Sequence, residues 1–78
     1  MAKKYYHRIY KEAILEDKGG GDWFLFMIWE RRYKDAYAPK KRNYEEFVRV
    51  ITGSKNSAKK QARKIAKQYG LNRDIILR

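Results

Sequence analysis

The residues of this chain best suited to chemistry are cations gathered in one short segment. Residues 55–70 contain no acidic side chain and six basic ones: Lys55, Lys59, Lys60, Arg63, Lys64 and Lys67. Apolar residues recur there at helical spacing, namely Ala58, Ala62, Ile65, Ala66 and Tyr69. The pattern predicts an amphipathic helix with a core-facing stripe and a row of cations on its outer side. Such a row is suited to polyanions, of which nucleic acid is the commonest in cells.

A second basic group lies around the only proline of the chain. Its members are Arg31, Arg32, Lys34, Lys40, Lys41 and Arg42. We predict that this group either extends the phosphate-binding track of the helix or reaches into a groove. Tyr37, with Tyr33 and Tyr44, flanks the group and is a candidate for stacking on nucleobases.

Two other interpretations of the basic helix are open. A plain solvated face would normally interleave acids for i, i+4 pairing, and this segment has none. A membrane-surface helix would need bulky apolar side chains, whereas three of the five apolar positions here are alanine. Alanines suit close packing on a sheet and bury too little area to anchor in lipid. We therefore favour nucleic acid and expect no membrane partner.

Residues for catalysis or metal binding are few. The chain has one histidine, His7, and no cysteine, so a metal site built on those residues has no second ligand. Ser54 and Ser57 stand where a helix begins, and capping is the better interpretation of both. The glycine run at residues 19–21 lacks the Lys-Ser or Lys-Thr of a phosphate loop. We predict that the protein is not an enzyme and uses no metal or cofactor.

Length and charge set the remaining bounds. With 78 residues and a net charge of +11, we expect a single domain over residues 1–78 that an anionic partner would stabilise. The absence of cysteine fits a reducing cytoplasm, and residues 1–4 lead into no apolar run of signal-peptide length. The longest apolar stretch has seven residues, too few to cross a bilayer. A cytoplasmic location is expected.

The first half of the chain favours strands. Trp23–Trp29 has the composition of a buried central strand, and the glycine turn before it favours a hairpin with Tyr5–Leu15, although that segment also fits a helical stripe. Residues 35–43 are predicted as a loop. Residues 44–52 fit strand and helix almost equally, and strand is preferred because Gly53 and Ser54 then connect it to the helix.

The fold prediction is α+β, with a three-stranded antiparallel sheet packed on one basic amphipathic helix. Gly70 should end the helix, and residues 74–77 could add a short edge strand. The larger aromatic residues are expected to form the core of so small a protein. They are Trp23, Phe24, Phe26, Trp29 and Phe47.

The helix start resembles segments of known families. Ser54-Lys55-Asn56-Ser57-Ala58-Lys59-Lys60-Gln61-Ala62 resembles the start of the last helix of double-stranded RNA-binding domains, with Asn56 in place of a second lysine. The same start is similar to the three-stranded, single-helix arm-binding domains of phage integrases, in which the sheet face reads DNA. Residues 65–78 also resemble a helix-turn-helix, with Ala66, Gly70 and Ile76 at the packing positions. All three resemblances imply nucleic acid.

The sequence therefore predicts a small basic protein that binds duplex DNA or RNA, mainly through phosphate contacts. The alternative is a phage or mobile-element inhibitor that binds a host protein or ribonucleoprotein. In that case the basic helix would dock on an acidic protein surface.

Overall fold

The described residues form one sheet and one helix. The computed structural model describes residues 6–33 and 43–78. In chain order the elements are β1 (Tyr6–Gly19), β2 (Asp22–Tyr33), β3 (Asn43–Thr52), α1 (Lys55–Gln68) and β4 (Ile76–Leu77). The strand order in the sheet is β3-β2-β1-β4. This arrangement confirms the predicted α+β class. Lys34 and residues 35–42 of the predicted loop, with Tyr37, Lys40, Lys41 and Arg42, lie outside the described residues, and Asn43 is the first residue of β3.

β1 and β2 form a long antiparallel hairpin. Gly20 and Gly21 make the turn with φ values of +64° and +84°, which glycine adopts without steric cost. The Gly19 amide donates to Asp17 Oδ1 at 2.8 Å, which ties the end of β1 into the turn. Strand is therefore confirmed for the segment before the glycines, and pairing with the apolar run of β2 outweighs its helical stripe.

β3 settles the most ambiguous part of the sequence. Residues 43–52 pair antiparallel with β2, so that Trp23 faces Ile51 and Phe26 faces Phe47. A register shift between Leu25 and Phe26 marks a bulge on the β3 side. The preference for strand is confirmed, because β2 supplies a partner for the backbone of β3 that the sequence alone does not show.

β4 corrects the predicted sheet. Ile76 and Leu77 pair with Ile14 and Leu15 in parallel, so the sheet has four strands and is mixed rather than three-stranded and antiparallel. The parallel direction of β4 follows from the position of α1. The helix ends where Tyr69 contacts Tyr10, so the chain then runs beside β1 in the same direction as that strand. Residues 71–78 form no second helix, so the helix-turn-helix that residues 65–78 resemble in sequence is not formed.

The core lies between α1 and one side of the sheet. Ala58, Ala62 and Ala66 are buried in α1, and their small side chains let the helix approach the strands closely. From the sheet, the core receives Ala13, Leu15, Trp23, Leu25, Met27 and Ile51. Leu71 and Ile75, beyond the helix, complete it. The predicted core stripe of the helix is confirmed, although Tyr69 at its end is 38% exposed.

The two sides of the sheet are unequal. We call the side packed against α1 the helix side and the other the open face. α1 and β1 both have 14 residues, but a helix of that length spans about 21 Å and a strand about 46 Å. The helix therefore covers about half of one side. No described helix or strand covers the open face, and the helix of the described part is too short and polar to cross a membrane.

Leu25→Ala should lower the free energy of unfolding by about 2–5 kcal/mol, because it leaves a cavity under α1 where Leu25 is fully buried. Val50→Ala is the matched control, since Val50 is 49% exposed on the open face. We expect that variant to lose less than about 1 kcal/mol. Urea unfolding at low protein concentration measures both, and equal losses would contradict this placement of the core.

Candidate nucleic-acid interface

The start of α1 is held by hydrogen bonds from Gly53 and Ser54 to their neighbours. The Gly53 amide donates to Gly21 O at 2.9 Å, and Trp23 Nε1 donates to Gly53 O at 3.0 Å, so the chain enters the helix next to the hairpin turn. Gly53 has a φ of +129°, and a Cβ there would stand 3.1 Å from Ser57 Oγ. Ser54 caps the helix by accepting from the Ser57 amide at 3.3 Å. The predicted capping role of Ser54 is confirmed.

The end of α1 is equally well defined. The Leu71 amide donates to Ala66 O at 2.9 Å, Gly70 has a φ of +78°, and Leu71 is buried against the core. This geometry satisfies helix carbonyls that would otherwise lack a donor. The contacts at both ends fix the position of α1 on the sheet. The buried alanines fix its rotation about its own axis.

That orientation leaves the six predicted cations on one flank of α1, from Lys55, in line with the buried alanines at the start of the helix, round to Lys60 and Lys64 on its outer side. At about 100° per residue, they occupy roughly half of the helix circumference. Five of them are exposed and Lys59 is half-buried. Four follow an i, i+4 row about 6 Å apart along the axis, and two form a second row beside it. The first row is Lys55, Lys59, Arg63 and Lys67, and the second is Lys60 and Lys64.

Few acids accompany these cations. Among the described residues, the only ion pair of the group joins Arg63 Nη2 to Asp74 Oδ1 at 3.7 Å, and Asp74 is almost fully exposed. No acidic residue occupies the first turn of α1, although Lys55 stands there beside the positive end of the helix dipole. The helix thus presents positive charge that the described part of the chain leaves uncompensated.

The cations lie on one flank of α1 and uncharged residues on the other. Gln61 Nε2 donates to Thr52 O at 3.0 Å and lies 3.2 Å from Ser57 Oγ, so this flank faces the end of β3. On the cationic flank, a shallow cleft of about 430 Å³ separates α1 from the segment leading to β4. Its lining residues are Arg63, Lys67, Leu71, Asn72, Arg73 and Asp74. Arg73 thereby adds a cation beside the helix that the sequence analysis did not select.

The second predicted basic group is divided where the structure describes it. Arg31 and Arg32 are neighbours on β2 and therefore point to opposite sides of the sheet. Arg31 is half-buried on the helix side, with its guanidinium 4.6 Å from the Tyr6 ring centre and 4.9 Å from that of Tyr44. Arg32 lies 3.5 Å from the buried Glu30 carboxylate. The two arginines cannot form one continuous patch.

An aromatic cluster occupies the helix side beyond the end of α1. The ring of Trp29 is stacked between Tyr6 at 6.5 Å and Tyr44 at 4.6 Å, and Arg8 lies 4.4 Å above it. Within the described ranges the buried Trp29 Nε1 has no hydrogen-bond partner. The alternation of aromatic and basic residues in the first strand was the sequence signal for this cluster, which the sequence analysis missed.

Three predicted core residues lie instead on the open face. Phe47 packs edge to face against Phe24 and Phe26, with ring centres 5.2 Å and 5.7 Å apart, and Phe24 and Phe26 are tilted against each other at 6.4 Å. Phe47 is 49% exposed. Trp23 and Trp29 are buried as predicted, but the prediction for these three phenylalanines is wrong. They alternate along the strands with residues of the helix side, so they face away from α1.

Ion pairs surround the phenylalanines. Arg78 bonds to Glu45 at 2.8 Å and Glu16 at 3.2 Å, and its guanidinium lies 5.0 Å from the Phe26 ring centre. Lys18 bonds to Glu16 at 2.6 Å. The hydrogen bond from Lys18, and then the charges of Lys18 and Arg78, lower the pKa of Glu16. Arg78 and Glu45 thereby connect the last strand to β3 across the open face.

The residues considered for metal binding and catalysis lie apart in the described structure. Within residues 6–33 and 43–78, no three histidine, aspartate or glutamate side chains are placed to hold a metal ion. His7 is exposed on β1, and Ser54 is engaged in capping.

Comparison with known proteins finds no relative: no protein-family model, curated protein or solved structure matches the chain. The resemblances to double-stranded RNA-binding domains and to integrase arm-binding domains stay predictions.

Because the folded state lowers the pKa of Glu16, ionised Glu16 stabilises the fold at neutral pH, and this contribution is lost as pH falls through the folded pKa. An NMR titration of the Glu16 carboxyl should give a pKa below its ordinary value of 4.5. Lys18→Met should raise it toward that value. The control is Lys55→Met, on the other side of the sheet, which should leave the pKa of Glu16 unchanged. A pKa at the ordinary value in the parent would contradict the ion pairs of Glu16 with Lys18 and Arg78.

Proposed function

We propose that this chain is a non-enzymatic protein that binds duplex nucleic acid, DNA or RNA, through the cationic flank of α1. The observation that carries the proposal is the set of exposed helix cations of which one alone, Arg63, has an acidic partner among the described residues. Charges of one sign on a rigid element repel one another. A polyanion bound along the flank neutralises these cations and removes the repulsion.

Phosphate contacts account for the binding energy in this proposal. The two rows on α1 run along about 18 Å of helix axis, over which a DNA duplex carries about ten phosphate charges. Each lysine or arginine that neutralises a phosphate releases counterions, so affinity should fall steeply with salt. Because phosphate contacts position a protein on the duplex but do not read its sequence, we expect sequence-tolerant binding.

The position and packing of the aromatic residues favour a duplex over a single strand. On the helix side, the rings of Tyr6, Trp29 and Tyr44 are already stacked on one another. Single-strand binding combines a cationic groove with exposed rings beside it. Here the phenylalanine rings lie on the open face, on the opposite side of the sheet from α1. A strand held by the helix cations cannot stack on these rings at the same time. Tyr37 and the basic residues Lys40, Lys41 and Arg42 keep their proposed role as additional contacts.

Lys60→Glu with Lys64→Glu should weaken binding to a duplex of arbitrary sequence by about 1–3 kcal/mol or more, because both exposed side chains are proposed to contact phosphates. Fluorescence anisotropy with duplex DNA, duplex RNA and single strands of equal length, at two salt concentrations, measures the loss. For the parent, we expect affinity to drop on the order of 10³-fold between low and physiological salt.

The matched control is Lys18→Glu with Arg49→Glu. It lowers the net charge from +11 to +7, as the helix variant does, but the changes lie outside α1. We expect this control to bind the duplex more tightly than the helix variant. Equal losses of affinity in the two variants would show that net charge, and not the helix surface, determines binding. Weak binding of the parent that is independent of nucleic-acid length would overturn the proposal in favour of an acidic protein partner.

A further inference from the structure

The open face carries an exposed apolar surface that nothing in the described structure covers. Its exposed members are Phe47 and Val50, each 49% exposed, and Ile76 at 41%. The half-buried Phe24, Phe26 and Ile28 extend the surface along β2, and Ile14 of β1, which is 8% exposed, lies on the same side as the register shows. Apolar patches of this kind on small proteins mark interaction sites.

The charges of the open face are balanced, unlike those of α1. Glu16 and Glu45 are paired with Lys18 and Arg78 around the phenylalanines. Toward the far end of the sheet, the buried Glu30 carboxylate lies 3.5 Å from both Lys11 and Arg32. Two open faces could therefore meet without the repulsion that would separate two copies of α1.

Nucleobases are a poorer fit to this face. The Phe24 and Phe26 rings already have Lys18 and Arg78 above them, at 5.1 Å and 5.0 Å, and their edges contact Phe47. The Glu16 and Glu45 carboxylates would repel a phosphate backbone laid beside these rings. The chemistry of the face favours a partner with an apolar centre and balanced charges, and a second copy of this chain has both.

We propose that the open face is a self-association surface, on which two copies pack sheet against sheet in a symmetric dimer centred on the phenylalanines. Packed sheets lie about 10 Å apart, so the exposed Phe47 and Val50 side chains of the two copies can interdigitate. A two-fold interface uses the same patch on both copies. The two copies of α1 then lie on the outer surfaces of the dimer.

The size of the face sets the expected strength. Three strands with 9–12 paired residues each give a footprint of roughly 500 Å² per copy, or about 1,000 Å² in total. That total is at the lower limit for specific interfaces, so we expect a dimer with a Kd in the micromolar range. If the proposed function also holds, the dimer presents two cationic helices about 30 Å apart and can bridge two duplexes.

Sedimentation analysis of the full chain without nucleic acid tests the dimer. The apparent mass should rise from 9.5 kDa toward twice that value as concentration rises from about 1 µM to several hundred µM. Phe47→Glu should stay monomeric over this range, since it places a charge at the centre of the apolar contact. Phe47→Leu, which keeps the site apolar, should still dimerise.

The control is Arg49→Glu, which changes an exposed residue of the same strand that pairs with Leu25 and so belongs to the helix side. It should dimerise like the parent. A parent that stays monomeric at the highest concentration, or a Phe47→Glu variant with the same mass profile as the parent, would overturn the proposal. Circular dichroism of Phe47→Glu should match the parent, because its side chain is half exposed.

A bridging assay separates this proposal from the proposed function. Energy transfer between two differently labelled duplexes should appear with the parent and disappear with Phe47→Glu, which should still bind single duplexes. Lys60→Glu with Lys64→Glu should dimerise but lose duplex binding. A chain that binds duplexes but stays monomeric contradicts only the dimer. A chain that dimerises but binds no duplex contradicts only the proposed function.

Discussion

The close packing of an alanine-lined helix on one side of the sheet is the constraint on which the rest of the structure depends. Ala58 and Ala62 are fully buried, and Leu15, Leu25 and Met27 of the sheet are buried beneath the helix. Because the inner side of α1 is used in this way, its lysines and arginines must point outward. The single helix also leaves the second side of the sheet without a covering element in the described structure.

The result is a molecule with two surfaces of different chemistry. One flank of α1 carries cations of which only Arg63 is paired within the described residues, and the open face carries phenylalanines surrounded by paired charges. Like charges on the helix favour an anionic partner, whereas the neutral open face favours an apolar one. The two proposed interactions use opposite sides of the sheet and do not compete for space.

The site was only partly predictable from the sequence. The cations of α1 could be found because acids are absent over four helical turns, and the helical period then places them on one side. Arg31 and Arg32 show the opposite case, since they are adjacent in sequence but lie on opposite sides of a strand. Phe24 and Phe26 were misplaced because Trp23–Trp29 is apolar on both sides, and such a run does not show whether both sides are covered.

The sequence by itself determined the local elements: the glycine hairpin, the capped helix from Lys55 to Gln68 and the outward direction of its cations. These features depend on turn chemistry and helical period, which act over a few residues. Only the tertiary structure decided that residues 43–52 form a strand, that β4 pairs in parallel beside β1, and that the open face stays uncovered by the described elements. Each of these outcomes requires a partner distant in sequence, and local pattern contains no information about that partner's position.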